Sequence, residues 1–225
     1  LCYEMLMRPQ IEALKNPSTI LKLASSQSKL IQIERLTFFK AMEVYEKRLN
    51  EGMVLPNAKI FINSIRSVIL GKEDREEFKR LYGKYFDNVV IEITESEPID
   101  SESLESKITM LKDFGVEVAI DDLGTGYNSE SAILSISPEI VKIDISIIKD
   151  IDKDINRQEL LRSIMRFARL QNVLVLAEGV ETKEELRYLI SEGIDYLQGY
   201  YLGKPSLDNF DISEETVKEI IQMNK

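Results

Sequence analysis

Short apolar runs alternate with longer stretches of helical spacing along the whole chain. Runs of strand length lie at 1–7, 59–65, 89–94, 117–120, 140–143 and 173–177, with a short one at 196–199. Between them the apolar residues recur at three and four. In 156–170 this spacing places Leu160, Ile164, Phe167 and Ala168 on one face. Thr182-Lys183-Glu184-Glu185 reads as a capping box that opens a helix running through Ile190, with Gly193 as its stop. Ser101 is placed to cap a helix ending at Phe114, just before Gly115. A repeated β-then-α order predicts parallel strands joined by crossover helices. In an α/β barrel of this kind the active site forms at the C-terminal ends of the strands.

Each predicted strand carries a polar residue inside or just after its apolar run. In chain order these are Glu4, Asn63, Glu92 with Glu95, Asp121 and Asp122, Lys142, Glu178 with Glu181, and Gln198. One such residue alone is usually a solvated edge or a helix cap. A succession of them at one mouth is different, because clustered carboxylates repel one another unless cations neutralise them. Carboxylates with one amide oxygen suit Mg²⁺ or Mn²⁺, and the adjacent Asp121-Asp122 pair is suited to bridging two ions. A two-metal carboxylate site favours in-line attack of water on a phosphate ester. Lys142 stands inside the apolar run Ile140-Val141-Lys142-Ile143. It either snorkels from a strand edge or, beside such a cluster, holds the attacking water and offsets phosphate charge. Arg8 offers a fork of donors to a phosphate oxygen, or makes a surface ion pair. In Asp121–Ser129 two glycines permit a tight loop just past a strand, without the lysine and spacing of a P-loop.

Composition narrows the chemistry. The chain has 225 residues, no histidine and one cysteine. Ser-His-Asp and Cys-His mechanisms, His-ligated metals, intramolecular disulfides and multi-cysteine clusters are therefore excluded. The length fits one large domain or two small ones, and 44% hydrophobic residues supports a sizeable core. No apolar run approaches the roughly 18–20 residues that cross a membrane, so a soluble chain is expected. A net charge of −10 disfavours nucleic-acid polymers and anionic membranes. The sequence opens in mid-strand with neither an initiator Met nor a signal peptide, which reads as a domain from a longer polypeptide.

These residues together resemble the EAL-domain family of cyclic di-GMP phosphodiesterases. Glu4-Met5-Leu6 resembles the Glu-Ala-Leu signature, followed by the family arginine at Arg8. Phe61-Ile62-Asn63-Ser64, Glu92-Ile93-Thr94-Glu95, the loop from Asp121 to Tyr127, Lys142-Ile143-Asp144, Ala177-Glu178-Gly179-Val180-Glu181 and Gln198-Gly199-Tyr200 follow in family order. The resemblance implies a TIM-like (β/α)8 barrel of the EAL type over residues 1–225 as a single domain, a fragment of a longer multidomain protein. Its family's first strand, antiparallel and bearing Gln-Pro-Ile, precedes the Glu-Ala-Leu strand; this chain is expected to lack it and to leave an edge there. The implied reaction is hydrolysis of cyclic di-GMP to linear pGpG with Mg²⁺ or Mn²⁺, two ions in all. Implied metal ligands are Glu4, Asn63, Glu92, Asp121, Asp122 and Glu178. Implied catalytic residues are Glu178, Lys142 and Glu4, with Leu6, Arg8, Asp144, Glu181 and Gln198 binding substrate. Glu95 would anchor the Asp122–Tyr127 loop, which the family uses for substrate binding and dimer coupling. A homodimer, an upstream regulatory or sensor domain and a cytoplasmic location are further implications, any membrane anchor lying upstream. Departures are Met5 for Ala, Leu123 for Phe, and Asn128 and Glu130 just after the loop. The alternatives are a sensor module that binds cyclic di-GMP or a protein without turnover, and an unrelated barrel acting on another phosphate ester.

Overall fold

Apolar runs that are buried along their whole length, with no in-out alternation, indicate strands covered on both faces. A computed structural model of the chain describes residues 2–9, 11, 14–94, 101–124, 129–206 and 212–223. It divides into two compact units, Leu1–Val118 and Ala119–Lys225.

In the first unit, β1 (Cys2–Met5), β2 (Lys59–Ser64) and β3 (Val89–Thr94) pair in parallel and in chain order. Val89 to Ile93 are all buried, as the unbroken pattern requires. The helices are α1 (Pro17–Ser26), α2 (Leu30–Asn50), α3 (Lys72–Tyr82) and α4 (Ser101–Phe114). Asn16 starts α1 by accepting the Ser18 N–H at 2.9 Å ahead of Pro17 at the first turn. Phe78 of α3 lies at the centre of an aromatic cluster, with ring centroids of Phe38, Phe39, Tyr82, Phe86 and Phe114 between 5.3 and 5.7 Å away. Such tilted and stacked contacts add to the area they bury.

β4 (Glu117–Leu123), which lies in the second unit from Ala119 on, and β5 (Ile140–Ile143), β6 (Leu174–Ala177) and β7 (Tyr196–Leu197) of that unit also pair in parallel and in order. Its helices are α5 (Ser129–Ile136), α6 (Ile145–Ile148), α7 (Ile155–Leu170), α8 (Lys183–Glu192) and α9 (Glu214–Met223). One expectation is corrected. The buried face of α7 carries Leu161, Met165 and Ala168, while Leu160 is 46% exposed. Leu160 and Leu161 are adjacent, so spacing alone left two phases open. Asp154 caps the helix by accepting the N–H groups of Asn156 and Arg157, and packing selects the phase that buries Leu161 and Met165. No described helix is long and apolar enough to cross a membrane.

The capping box of α8 forms as expected. Thr182 Oγ1 accepts the Glu185 N–H at 3.2 Å, and Glu185 Oε2 accepts the Thr182 and Glu181 N–H groups, each at 2.9 Å. Glu185 Oε1 accepts the Asp150 N–H at 2.8 Å, and Gly193 ends the helix in the left-handed region at φ 75°. Burial pushes the Glu185 carboxyl up, but the backbone bonds from Asp150, Glu181 and Thr182 together outweigh it and hold it below 4.5. A carboxylate depressed in the fold stabilises fully above its unfolded value, and that stability is lost as pH falls through the folded value. Glu185→Ala is therefore expected to cost about 1–2 kcal/mol at neutral pH. In urea unfolding the gap from wild type should shrink below about pH 4; a gap constant with pH would contradict the assignment.

Candidate active site

In the first unit, β1 to β3 bring three of the expected residues together. Asn63 on β2 and Glu92 on β3 are partners in the strand register. Asn63 Nδ2 donates to Glu4 Oε1 on β1 at 3.2 Å. Partners in a parallel ladder direct their side chains to the same face, so Glu4, Asn63 and Glu92 form a row across the strands. Asn63 is exposed, Glu4 half-buried, and Glu92 is 1% exposed. Burial of a carboxylate is costly unless donors or cations compensate it. Leu6 and Arg8 follow the end of β1 and are exposed, with Arg8 Nη1 donating to the Met7 carbonyl at 3.0 Å.

In the second unit, the end of β4 departs from a regular strand. Adjacent residues of a strand point to opposite faces, which would separate Asp121 from Asp122. The register with β5 shifts between Ile120 and Leu123, and Asp122 adopts φ 58°. Aspartate tolerates the left-handed region better than most residues, and bulges of this kind re-aim side chains. As a result Asp121, Asp122 and Glu178 each present a carboxylate oxygen within 4.8 Å of the others. Glu178 directly follows β6, its N–H donating to the Ile143 carbonyl at 3.0 Å.

Lys142 does not snorkel. It is 1% exposed in the middle of β5, and its Nζ lies 2.9 Å from Asp121 Oδ1 and 2.7 Å from Glu178 Oε1. The buried ammonium thus ties the two carboxylates together.

The remaining expected residues lie nearby in the chain but have different visible partners. Asp144 caps α6 by accepting the Ser146 N–H at 2.9 Å. Glu181 is exposed. Gln198 is half-buried, and its backbone bonds Ala177 and Val180 at 2.9 and 3.0 Å. Leu123, which stands where the family has Phe, is fully buried and accepts the Asp144 N–H at 3.3 Å. Glu95 and the loop residues Thr125 to Asn128 lie outside the described residues, and the Glu130 side chain does too. Glu34, Ser64 and Lys107 were not foreseen. Their signal was present, because Lys107 interrupts the apolar stripe Leu104, Ile108 and Leu111 of α4 at helical spacing.

The donors are carboxylate oxygens and one amide in the first unit and carboxylate oxygens in the second, with no sulfur or imidazole in either. That set fits a hard divalent cation such as Mg²⁺ or Mn²⁺.

Parallel strands in β-then-α order, with acids at or after strand ends and a lysine buried within one strand, are the pattern of a TIM-like (β/α) fold. The family model for the EAL domain matches residues 1–205, and the chain belongs to the EAL domain family. Among similar proteins, the probable cyclic di-GMP phosphodiesterase PdeG of Escherichia coli is 36% identical over 140 residues, which cover 60% of this chain and 28% of PdeG. The cyclic di-GMP phosphodiesterase PdeA of Borreliella burgdorferi is 29% identical over 83% of this chain and 28% of its own length. This chain thus spans less than a third of these relatives. A standalone versatile EAL protein from Vibrio cholerae, in its c-di-GMP bound form, superposes with a TM-score of 0.78 at 24% identity, covering 95% of this chain and 89% of that one. The calcium/cy-diGMP complex of Klebsiella pneumoniae BlrP1 gives a TM-score of 0.75 at 25% identity over 93% and 52%.

Proposed function

We propose that this chain is a phosphodiesterase domain that uses divalent metal to open cyclic di-GMP to linear pGpG. The observation that carries the reading is Lys142 buried between Asp121 and Glu178, with Asp122 joining their carboxylates. Glu4, Asn63 and Glu92 of the first unit, and Asp121, Asp122 and Glu178 of the second, would hold Mg²⁺ or Mn²⁺, two ions in all. When bound, the metal supplies Lewis-acid polarisation of the phosphate and lowers the pKa of water.

The protein side chains do the rest. Lys142 holds Glu178 in a fixed orientation and places a positive charge where negative charge grows on the phosphate. Glu178 accepts the proton given up by the attacking water. The water oxygen joins phosphorus, the P–O ester bond opposite it breaks, and the departing oxygen takes a proton from solvent to become a hydroxyl, leaving a phosphate terminus on the other side. Arg8 pairs with a phosphate oxygen, and Leu6, Asp144, Glu181 and Gln198 seat the nucleotide. Residues 1–225 act as one EAL-type domain of a larger cytoplasmic protein with an upstream sensor or regulatory part, and the domain works as a homodimer.

Chromatography of Mn²⁺ reactions with cyclic di-GMP and with a simple aryl phosphodiester tests the reading. The expected result is pGpG from cyclic di-GMP, little aryl turnover, and a loss of about 10²–10⁴-fold in kcat for Glu178→Gln. Tight binding of intact nucleotide with metal present would make the domain a sensor. Preferential cleavage of the aryl diester would place it among general phosphodiesterases.

A further inference from the structure

Two charged residues of the first unit, Glu34 on α2 and Lys107 on α4, are fully buried. Lys107 Nζ donates to Glu34 Oε1 at 2.6 Å and to the Val68 carbonyl at 2.5 Å. Glu34 Oε1 also accepts from Ser64 Oγ at 2.6 Å, and its Oε2 accepts the Ile65 N–H at 2.9 Å. The carboxylate of Glu34 therefore grips the two residues that directly follow Asn63. Alternation along β2 sends Asn63 and Ser64 to opposite faces: Asn63 meets Glu4, while Ser64 turns back to Glu34. Lys107 fixes the connection beyond, through Val68. Arg66 Nη1 reaches the Thr94 carbonyl at the end of β3 at 3.5 Å, which ties the same connection to the strand that carries Glu92.

Stability alone does not account for this arrangement. Ion pairs pay desolvation on burial, and apolar residues of similar volume often serve a fold as well or better. An apolar pair, however, could not hold the Ser64 hydroxyl and the Ile65 N–H. We propose that the Glu34–Lys107 pair is a positioning device that sets the exit of β2 and presents Asn63 as a metal ligand. The inference rests on the reading of Asn63 as a ligand. Glu34 and Lys107 touch neither metal nor nucleotide; they act through Ser64 and Ile65.

The test is Mn²⁺ affinity by electron paramagnetic resonance, with thermal unfolding and the metal dependence of turnover alongside. Two variants are compared with wild type: Ser64→Ala, and the double variant Glu34→Leu with Lys107→Met. The double variant is expected to bind Mn²⁺ roughly tenfold more weakly, the low end for losing an outer support of a metal ligand. Ser64→Ala, which loses one hydrogen bond, is expected to weaken binding about threefold while unfolding near the wild-type temperature. Raising Mn²⁺ should restore turnover in both, which a loss through unfolding would not allow. Should the double variant fail to fold, Ser64→Ala decides by itself. Wild-type Mn²⁺ affinity in the folded variants overturns the inference alone. Failure of the wild-type protein to bind Mn²⁺ overturns the metal-site reading and this inference with it, and the two failures are distinguished by the wild-type measurement.

Discussion

Lys142→Met is expected to lower kcat for cyclic di-GMP about 10²–10³-fold, the cost of losing a preorganised charge at a reacting phosphate. Methionine fills most of the volume of the lysine stem but leaves Asp121 and Glu178 without the ammonium that now lies 2.9 and 2.7 Å from them. The two carboxylates would then repel each other with no ammonium to offset them. Removing one partner of a buried pair costs about 3–5 kcal/mol. Here the carboxylates are 14% and 18% exposed, so water relieves part of that cost. A loss of about 2 kcal/mol, or about 4–8 °C in Tm, is the expected outcome for a chain of this size. Lys142→Arg should not rescue turnover, because a planar fork cannot place one compact charge between the two acids. Pre-steady-state pGpG formation, read beside thermal unfolding, checks both numbers. Near-normal kcat in a folded Lys142→Met protein would remove Lys142 from the reaction.

Gly199→Ala is expected to be the most damaging single-methyl substitution among the described glycines of the second unit. A Cβ at Gly199 would lie 2.2 Å from both the backbone nitrogen and the backbone oxygen of Val180. Neither atom can rotate away, as the end of a flexible side chain would. The close approach exists because Val180 N–H donates to the Gln198 carbonyl and Tyr201 N–H donates to the Val180 carbonyl, each at 3.0 Å. These bonds bind the turn after β7 to the turn that carries Glu178. Overpacking of this kind costs about 3 kcal/mol or more, which corresponds to a fall of roughly 6–12 °C in Tm. Displacing Glu178 by about 1 Å can add a loss near 10²-fold in rate. Gly203→Ala is the control, since a Cβ there meets nothing within 4 Å. Its unfolding should stay within about 0.5 kcal/mol of wild type. Equal behaviour of the two variants would contradict the close approach.

Much of the fold and part of the site were legible in the sequence, for reasons that differ by element. β3 and β5 begin and end where their apolar runs place them, and α4 ends at Phe114 just before Gly115, with Ser101 as its first helical residue. β4 runs three residues further than its apolar run, to Leu123, because the bulge carries the strand through both aspartates. Periodicity does not report a bulge, so the convergence of Asp121 and Asp122 on Glu178 could not be read from spacing. The phase of α7 escaped for a related reason: two adjacent leucines satisfy either helical register until tertiary packing chooses. Polar residues at strand ends were visible individually, yet the position of Lys142 between two acids is a property of the β5–β6 register and the bulge together. Glu34 and Lys107 show the opposite failure. Lys107 marks itself by interrupting the apolar stripe of α4, but nothing in the spacing pairs it with Glu34 of α2, and only the folded arrangement leaves both buried.

The measurement that bears most directly on the proposed activity is the rate of cyclic di-GMP hydrolysis by chelator-stripped protein as Mn²⁺ is added back. The account expects no pGpG without metal, a saturable rise on Mn²⁺ addition, and loss of that rise in Glu178→Gln. Undiminished turnover in excess chelator, or a fully metal-loaded protein that binds the nucleotide and leaves it intact, would contradict it.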